Sequence, residues 1–358
     1  MPEIVAAKTG SIAPDGHSTL WNPAAAMLNL DIAVVIVTYR TAQLTIESLR
    51  SISAERSTAG LHIRAVVVDN ASGDLPIITD AVAANNWSAC VTCVLAPING
   101  GFAYGNNLGI QQAFANGAPG YVHLLNPDAQ VRLGAIGSLV RFLEAHPDVG
   151  IAGGSFENLD GSDWPFAFRF PSILGELDAR LEFGLVTRLL RPWVVPRIMT
   201  KTPQPVDWVC GASMMIRPSV FRAIGGLDEN YFLYFEETDF CFRAKQAGYS
   251  TWYVPESRVM HIAGQSTNVD QRDAAPKRKP HYWFESRRRY FAVTYGVRRA
   301  IIIDIVTLLA HSLGWLKRIL LLRTRTAIPH FLRDLARHSV LWPRNRNFPT
   351  VRSSVPRN

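Results

Sequence analysis

The chain has 358 residues, 48% hydrophobic and 18% charged, which is enough for one large domain or two small ones with a substantial core. Its formal net charge of +8 is unevenly placed, since residues 277–358 carry 18 Lys and Arg against 3 Asp and Glu while residues 1–276 carry 19 against 26. An acidic body with a basic tail points to phosphate groups or an anionic membrane face as the tail's partner, and the basic–aromatic RNA signature and zinc-finger spacing of nucleic-acid binders are absent.

Residues 1–29 are rich in Ala, Pro, Ser and Gly without a period and are expected to form a loose leader, with no basic start and apolar run to mark a signal peptide. Asp31-Ile32-Ala33-Val34-Val35-Ile36-Val37 has the length and continuity of a buried parallel strand. It ends in Thr38-Tyr39-Arg40, and a helix is expected over 41–53. A second buried strand over 63–68 runs into Asp69-Asn70-Ala71-Ser72-Gly73-Asp74, and a helix pattern over 75–85 leads to a third strand, Ala89-Cys90-Val91-Thr92-Cys93-Val94-Leu95. Cys90 and Cys93 then face opposite sides of a strand, which argues against zinc or redox pairing. Four cysteines are too few for a disulfide framework, so a reducing cytoplasm is the simplest compartment. The alternation predicts an α/β domain with a mostly parallel sheet, whose ligands gather at the carboxyl ends of the strands.

Those ends are polar. Asp69 can accept from a base or ribose, or can serve its own turn, for which Asp-Asn-Ala-Ser-Gly-Asp is good chemistry. The third strand enters Asn99-Gly100-Gly101-Phe102-Ala103-Tyr104-Gly105-Asn106-Asn107, where glycines allow close backbone approach and a helix start offers N–H groups to phosphate. Its glycine spacing is not that of a dinucleotide fingerprint, and there is no phosphate-binding Gly-x-x-x-x-Gly-Lys-Ser/Thr loop. A fourth strand over 121–125 stops at Asn126-Pro127-Asp128, where a carboxylate beside an amide can hold a divalent metal against a pyrophosphate or form an ordinary turn. Farther on, Tyr231-Phe232-Leu233-Tyr234-Phe235-Glu236-Glu237-Thr238-Asp239-Phe240 sets three acids among aromatics, as a catalytic edge or as the solvated first turn of a helix.

Taken in order, Val37-Thr38-Tyr39-Arg40, Val68-Asp69-Asn70-Ala71-Ser72, the Asn99–Asn107 loop, Leu125-Asn126-Pro127-Asp128, Val206-Asp207-Trp208-Val209-Cys210-Gly211-Ala212-Ser213, Gly225-Gly226-Leu227-Asp228-Glu229 and Phe235-Glu236-Glu237-Thr238-Asp239 resemble glycosyltransferase family 2, in its bacterial rhamnosyltransferase-like branch. The resemblance covers about residues 31 to 270. It implies a GT-A fold over 30–270, a nucleotide-sugar donor, and an inverting transfer assisted by Mg²⁺ or Mn²⁺. Carried onto this sequence, it puts Thr38, Tyr39, Arg40, Asp69, Asn70, Asn99, Gly101, Asn106 and Asn126 at the donor. Asp128 takes the metal position of the family's Asp-x-Asp motif, whose first Asp is here Asn126, and His261 matches a histidine that completes the metal or pyrophosphate site. The family's base position is filled by Glu237, one methylene longer than the usual Asp, with Glu236 and Asp239 as substitutes. Trp208, before Gly211 and Ala212, either stacks on a sugar at the acceptor site or packs in the core. The expected donor is dTDP-rhamnose, with a UDP-hexose or a catalytically silent nucleotide-sugar-binding subunit as alternatives. The expected acceptor is a saccharide on a polyprenyl diphosphate in surface-polysaccharide synthesis.

Residues 271–358 form a basic extension. In it, Asp304, Thr307, His311, Gly314 and Arg318 recur at three- and four-residue spacing, which makes a narrow polar stripe on a broadly apolar helix. Asp304 and Lys317 bracket too short a run for a good membrane span. The pattern suits a helix lying in an anionic membrane surface on the inner face of the cell membrane, with arginines reaching lipid phosphates, or else a helix packed on the body.

Overall fold

The computed structural model describes residues 30–59, 61–158, 160–164, 166–262, 277–321, 328–355 and 357; the expected leader over 1–29, and 271–276 of the expected extension, lie outside the described residues. Its first half is β1 (Asp31–Thr38), α1 (Ala42–Ala59), β2 (His62–Asp69), α2 (Leu75–Ala84), β3 (Val91–Leu95), α3 (Gly101–Ala115) and β4 (Tyr121–Leu125). Next come β5 (Ala129–Val131), α4 (Ala135–Ala145), β6 (Val149–Glu157), β7 (Asp163–Trp164), β8 (Phe166–Phe168), α5 (Ile173–Leu181), α6 (Gly184–Leu189), β9 (Pro196–Ile198), β10 (Gln204–Val206) and β11 (Ser213–Ile216). The rest is α7 (Pro218–Ile224), α8 (Glu236–Gln246), β12 (Ser250–His261), α9 (His281–Tyr295), α10 (Val297–Leu320) and α11 (Phe331–His338). Helix α1 runs on past residue 53 because no Gly or Pro interrupts it there.

One sheet follows the path β10-β12-β6-β11-β4-β1-β2-β3, with β5 on β12 and β7 on β6. Strands β3, β2, β1 and β4 are parallel, β11 is inserted antiparallel between β4 and β6, and β12 returns parallel to β6. Side chains alternate along a strand, so a strand covered on both faces must be apolar at both parities. In β1, Ile32, Val34 and Ile36 join Leu49, Ile78 and Leu139 on one side, while Val35 meets Ile110 and Val122 on the other. The parallel register sets Thr38 beside Asp69 and Asp69 beside Leu95, so the polar strand ends collect along one edge.

The basic segment is built into the body. Serine 286 donates to the carbonyl of Leu233, the rings of Trp283 and Tyr290 lie 6.1 and 5.4 Å from that of Phe235, and Arg289 Nε donates to buried Asp228 at 2.8 Å. Helix α9 thus backs the acidic stretch directly. Arg287 is buried, its guanidinium donating to Asp304 Oδ1 at 2.6 Å, Glu176 Oε2 at 2.9 Å and Thr307 Oγ1 at 2.9 Å. These two arginines are therefore committed to internal carboxylates and do not reach outward to phosphates, a departure from the sequence-based expectation.

Asp304, Thr307, His311, Gly314 and Arg318 do share one face of α10, and that face is turned inward. Asp304 also accepts from Ser339 Oγ at 2.6 Å and the Val340 amide at 2.9 Å. Arg318 pairs with Glu182, and Gly314 lies so close to the backbone that a Cβ there would come within 2.2 Å of the Arg180 carbonyl. Periodicity says which residues share a face; the partners in the body decide which face is inside. Asp304→Ala should leave a buried guanidinium short of a counter-charge and cost about 3–5 kcal/mol, read as a lower urea midpoint. A midpoint unchanged from wild type would mean the ion pair does not hold α10 to α9.

Candidate functional site

Three small hydrogen-bonded groups make up the sheet edge. At the first, Thr38 Oγ1 donates to Asp74 Oδ2 at 2.7 Å, and the same oxygen accepts from the Thr41 amide at 2.8 Å, which ties the end of β1 to the turn after β2. Asp69 is fully buried and takes the turn-forming role: Oδ1 accepts from the Ser72 amide at 2.8 Å and its hydroxyl at 2.7 Å, and Oδ2 accepts from the Leu75 amide at 3.0 Å. Tyr39 is partly buried, and Arg40, in the left-handed region at φ 57°, carries its guanidinium 5.2 Å from the Tyr39 ring centre.

The second group joins two loops. Asn70 Nδ2 donates to Asn99 Oδ1 at 2.9 Å and to the Gly101 carbonyl at 3.1 Å, and Asn99 Oδ1 also accepts from the Gly101 amide at 3.1 Å. The Phe102 amide then donates to the Phe232 carbonyl at 2.8 Å. Gly101 has φ +87°, and a Cβ there would stand 2.0 Å from that carbonyl oxygen, so the position requires glycine. The first amides of α3, expected to be free for a phosphate, are thus engaged within the protein. Asn106 is buried and donates back to the Phe102 carbonyl of its own helix at 2.9 Å.

At the third group, β12 pairs antiparallel with β5, placing His261 opposite Ala129. His261 Nε2 comes within 3.3 Å of Asp128 Oδ1 and 3.4 Å of Asn126 Nδ2, and both Asp128 and His261 are buried. Asn126 is fixed in turn by its amide, which donates to the Ala212 carbonyl at 3.1 Å. Among the described residues no group of three His, Cys, Asp or Glu could by itself hold a metal ion; Asp128 and His261 form a pair at this sheet edge.

The acids stand at the start of α8. Tyr234 and Phe235 both sit at φ 70°, a strained conformation for large aromatic residues, and this loop delivers Glu236 and Glu237 to the first turn. Glu236 is buried and Glu237 partly buried, and one oxygen of each, Oε2, is a buried atom without a hydrogen-bond partner. Burial, and then the charge of Glu237, hold the Glu236 carboxyl well above the ordinary glutamate range. Burial also raises Glu237, against the backbone N–H groups of its own residue, Gly211 and Thr238. Each of these neighbouring carboxyls is thereby biased toward its protonated form and keeps unfilled acceptor capacity. Asp239 faces the other way: Arg243 Nε donates to its Oδ2 at 2.7 Å, and that guanidinium also holds the Ile224 and Gly226 carbonyls at 3.0 Å each. It positions α8 and does not join the pair.

Cys210 feels the charges of the acids and of Asp128. Its thiol is pushed up to about 12 by burial and then by Glu237, with Glu236 and Asp128 adding to the effect, so all three carboxylates act on one sulfur. Gly211 leaves the space into which the Phe102 ring fits, 3.2 Å from where a Cβ would be. Trp208 stacks on Phe168 at 4.2 Å between ring centres and donates its indole N–H to the Arg169 carbonyl at 2.9 Å, which satisfies the packing role. Asp74, Phe102 and Cys210 are members of the site to which the sequence motifs containing them assign no role. Asp74 was visible only as the last acid of a turn.

A second support comes from far along the chain. Gly226 N–H donates to Ser353 Oγ at 2.9 Å, Glu229 N–H to the Arg352 carbonyl at 2.7 Å, and the Arg352 amide to Asp228 at 3.0 Å. Residues 350–355 therefore strap the loop that leads into the acids.

The model of "Glycosyltransferase like family 2" matches residues 29–292. Among curated proteins, the chain is 32% identical over 154 residues to an N-acetylglucosaminyl-diphospho-decaprenol L-rhamnosyltransferase of Mycobacterium tuberculosis, covering 42% of this chain and 49% of that protein. It is 24% identical over 166 residues to the rhamnosyltransferase WbbL of Escherichia coli, 46% of this chain and 61% of that one. A low-salt glycan biosynthesis hexosyltransferase, Agl10 of Haloferax volcanii, is 27% identical over 223 residues, 60% and 62% of the two chains. The chain thus spans about half to three-fifths of the length of these relatives. Two solved structures share the GT-A fold. One is the mannosyltransferase PcManGT from Pyrobaculum calidifontis in complex with GDP-Man and Mn²⁺, at a TM-score of 0.53 and 17% identity over 87% of each chain. The other is GalNAc-T7 with UDP, GalNAc and Mn²⁺, at 0.53 and 15% over 86% of this chain and 57% of that one.

A native pKa above the unfolded one means that the folded state binds the extra proton. For Glu236 that stabilisation is complete below the ordinary value of 4.5 and is lost as pH rises through the native value. Glu236→Gln should therefore raise Tm at neutral pH and flatten the decline in stability above about pH 4.5. Thermal melts from acid to neutral pH check this; a variant whose decline matches wild type would place the proton elsewhere.

Proposed function

We propose that this chain, which belongs to glycosyltransferase family 2, moves a sugar from a nucleoside-diphosphate donor to a saccharide acceptor with inversion at the anomeric carbon. The observation that carries the reading is the Glu236–Glu237 pair, set at the start of α8 by a strained loop, with one buried oxygen of each lacking a hydrogen-bond partner. In an inverting transfer an acceptor hydroxyl attacks the anomeric carbon as the nucleoside diphosphate leaves. A sugar hydroxyl needs a base within hydrogen-bond reach. Glu237 is that base: its raised pKa makes it a better proton acceptor than an exposed glutamate, and its unpartnered Oε2 can take the hydroxyl proton. Glu236, beside it, keeps the pair's second proton and limits the negative charge in the pocket.

The donor set of Asp128, His261 and the Asn126 amide fits a divalent cation such as Mg²⁺ or Mn²⁺, since it offers oxygen and imidazole donors and leaves positions for phosphate oxygens. The unpartnered His261 Nδ1 shows that this ring is not fully satisfied by the protein. When bound, the cation would stabilise charge on the leaving diphosphate. Thr38, Tyr39, Asn70 and Asn99, on the strand-end side of Gly101, frame the nucleoside side of the cleft.

Rhamnose from dTDP-rhamnose is the donor that the two rhamnosyltransferase likenesses favour, and a polyprenyl-diphosphate-linked saccharide is the acceptor that the mycobacterial relative's name supports. A UDP-hexose is the second reading, favoured by the likeness to a hexosyltransferase. The retained acid pair speaks against a silent binding subunit. A thermal-shift panel of dTDP-, UDP- and GDP-sugars with Mg²⁺ or Mn²⁺ separates the donors, because a bound donor raises Tm by mass action.

Glu237→Gln should lower the transfer rate by about 10²–10⁴-fold while calorimetric donor affinity stays near wild type. Wild-type turnover in that variant removes Glu237 from the base role. Asp128→Ala should weaken donor binding with Mn²⁺ present and change little in EDTA; equal donor titrations in both conditions would show that Asp128 holds no cation.

A further inference from the structure

The outward face of α10 has no partner among the described residues. Ile302, Ile305, Leu309, Leu313, Leu316 and Leu320 are 50%, 42%, 61%, 60%, 49% and 74% exposed, and they recur at three- and four-residue steps from the exposed Arg298 in the first turn. They form a stripe about 27 Å long at 1.5 Å per residue. This is the reverse of a soluble surface helix, because the polar stripe is inside and the apolar stripe outside. The face extends sideways. Lys317 Nζ donates to the Leu181 carbonyl at 2.8 Å, which pins the α5–α6 junction under the C-terminal half of α10 and places Phe183 and Leu185 beside it, also exposed.

Charge selects the occupant. From residue 297 onward the side-chain carboxylates are Asp304 and Asp334, and both are buried, Asp304 against Arg287 and Asp334 against Arg278. Among the described residues of this segment the exposed charged side chains are all cationic, with Arg298, Arg299, Arg333, Arg337 and Arg344 among them. A second copy docking face to face would bring the same cations together. A bilayer with anionic head groups offers hydrocarbon to the stripe and phosphates to the arginines at its margin.

We propose that α10 lies in the plane of a lipid bilayer, with the Ile302–Leu320 stripe immersed and Arg298 and Arg299 at the head groups, held to the body by its inward polar stripe. This gives the sugar-transfer reading a surface at which a lipid-borne acceptor is met, but it does not depend on that reading, because lipid binding is measured without donor or acceptor. Immersion of side chains, more than attraction by surface arginines, sets the affinity.

The test is flotation of the full chain with vesicles of phosphatidylcholine alone and with added phosphatidylglycerol, at low and high salt. Wild type should float with mixed vesicles and keep a large part of that binding at high salt. Leu309→Glu/Leu313→Glu, both on the exposed face, should lower the bound fraction about tenfold or more. Arg298→Ser/Arg299→Ser should lose several-fold only where phosphatidylglycerol is present and salt is low. Donor-induced thermal shift should be retained in both variants, so a folding defect or failure of the transfer reading is seen separately. Wild type that stays unbound in all conditions overturns the proposal. So does vesicle binding that the double glutamate leaves intact, or a sedimentation-measured dimer that this variant dissociates without any change in flotation.

Discussion

The Phe102 amide reaches the Phe232 carbonyl only because residue 101 has no side chain. This single approach joins the loop after β3 to the loop that carries the acids, two segments far apart in sequence. On one side, Gly101 also accepts from Asn70 and so fixes the end of β2. On the other, Phe232 begins the strained turn through Tyr234 and Phe235 that sets Glu236 and Glu237. The loop after β3 and the loop that carries the acids are thus one hydrogen-bonded unit, and displacement of either would be felt by the other.

The acids show what such rigidity is for. An isolated pair of glutamates at a helix start would normally face water, where the helix dipole favours their ionised form. Here burial works against the dipole and wins for both residues, which leaves two carboxyls with raised pKa values and open lone pairs. Asp239 obeys the same burial but has Arg243 as a partner, and it becomes a joint between α8 and the Gly225–Gly226 turn. Three carboxylates in one short stretch thus divide by their partners, not by their distance along the chain.

Much of this was legible in the residues. Continuous apolar runs located β1, β2 and β4 because a strand covered on both faces must be apolar at every position, and the polar residues that end those runs did collect on one edge. What could not be read was partnership. Nothing local says that Asp74 bridges Thr38 and Thr41, or that Arg287 is buried against Asp304 from the next helix. The polar stripe of α10 was found by its spacing, but its direction depends on Arg287, Glu182 and Ser339, each of which lies on another element or turn. Likewise, the α9 segment looked like part of a separate basic extension, yet its rings and Arg289 back the acidic stretch. Composition marks a change in chemistry, and packing need not divide at the same place.

The strap over residues 350–355 has a bearing on how the protein is made. Its hydrogen bonds to Asp228, Glu229 and Asn230 close over separations of 120 residues or more. Closing a loop of that span carries an entropy cost that grows with its length. On a ribosome the sheet edge can assemble while the acidic loop still lacks its strap and its α9 backing. The nascent chain would then carry the polar sheet edge before the acid pair is fixed in place. Maturation of the site is coupled in this way to synthesis of its most distant segment, and the basic, apolar surface of α10 emerges before the strap that follows it.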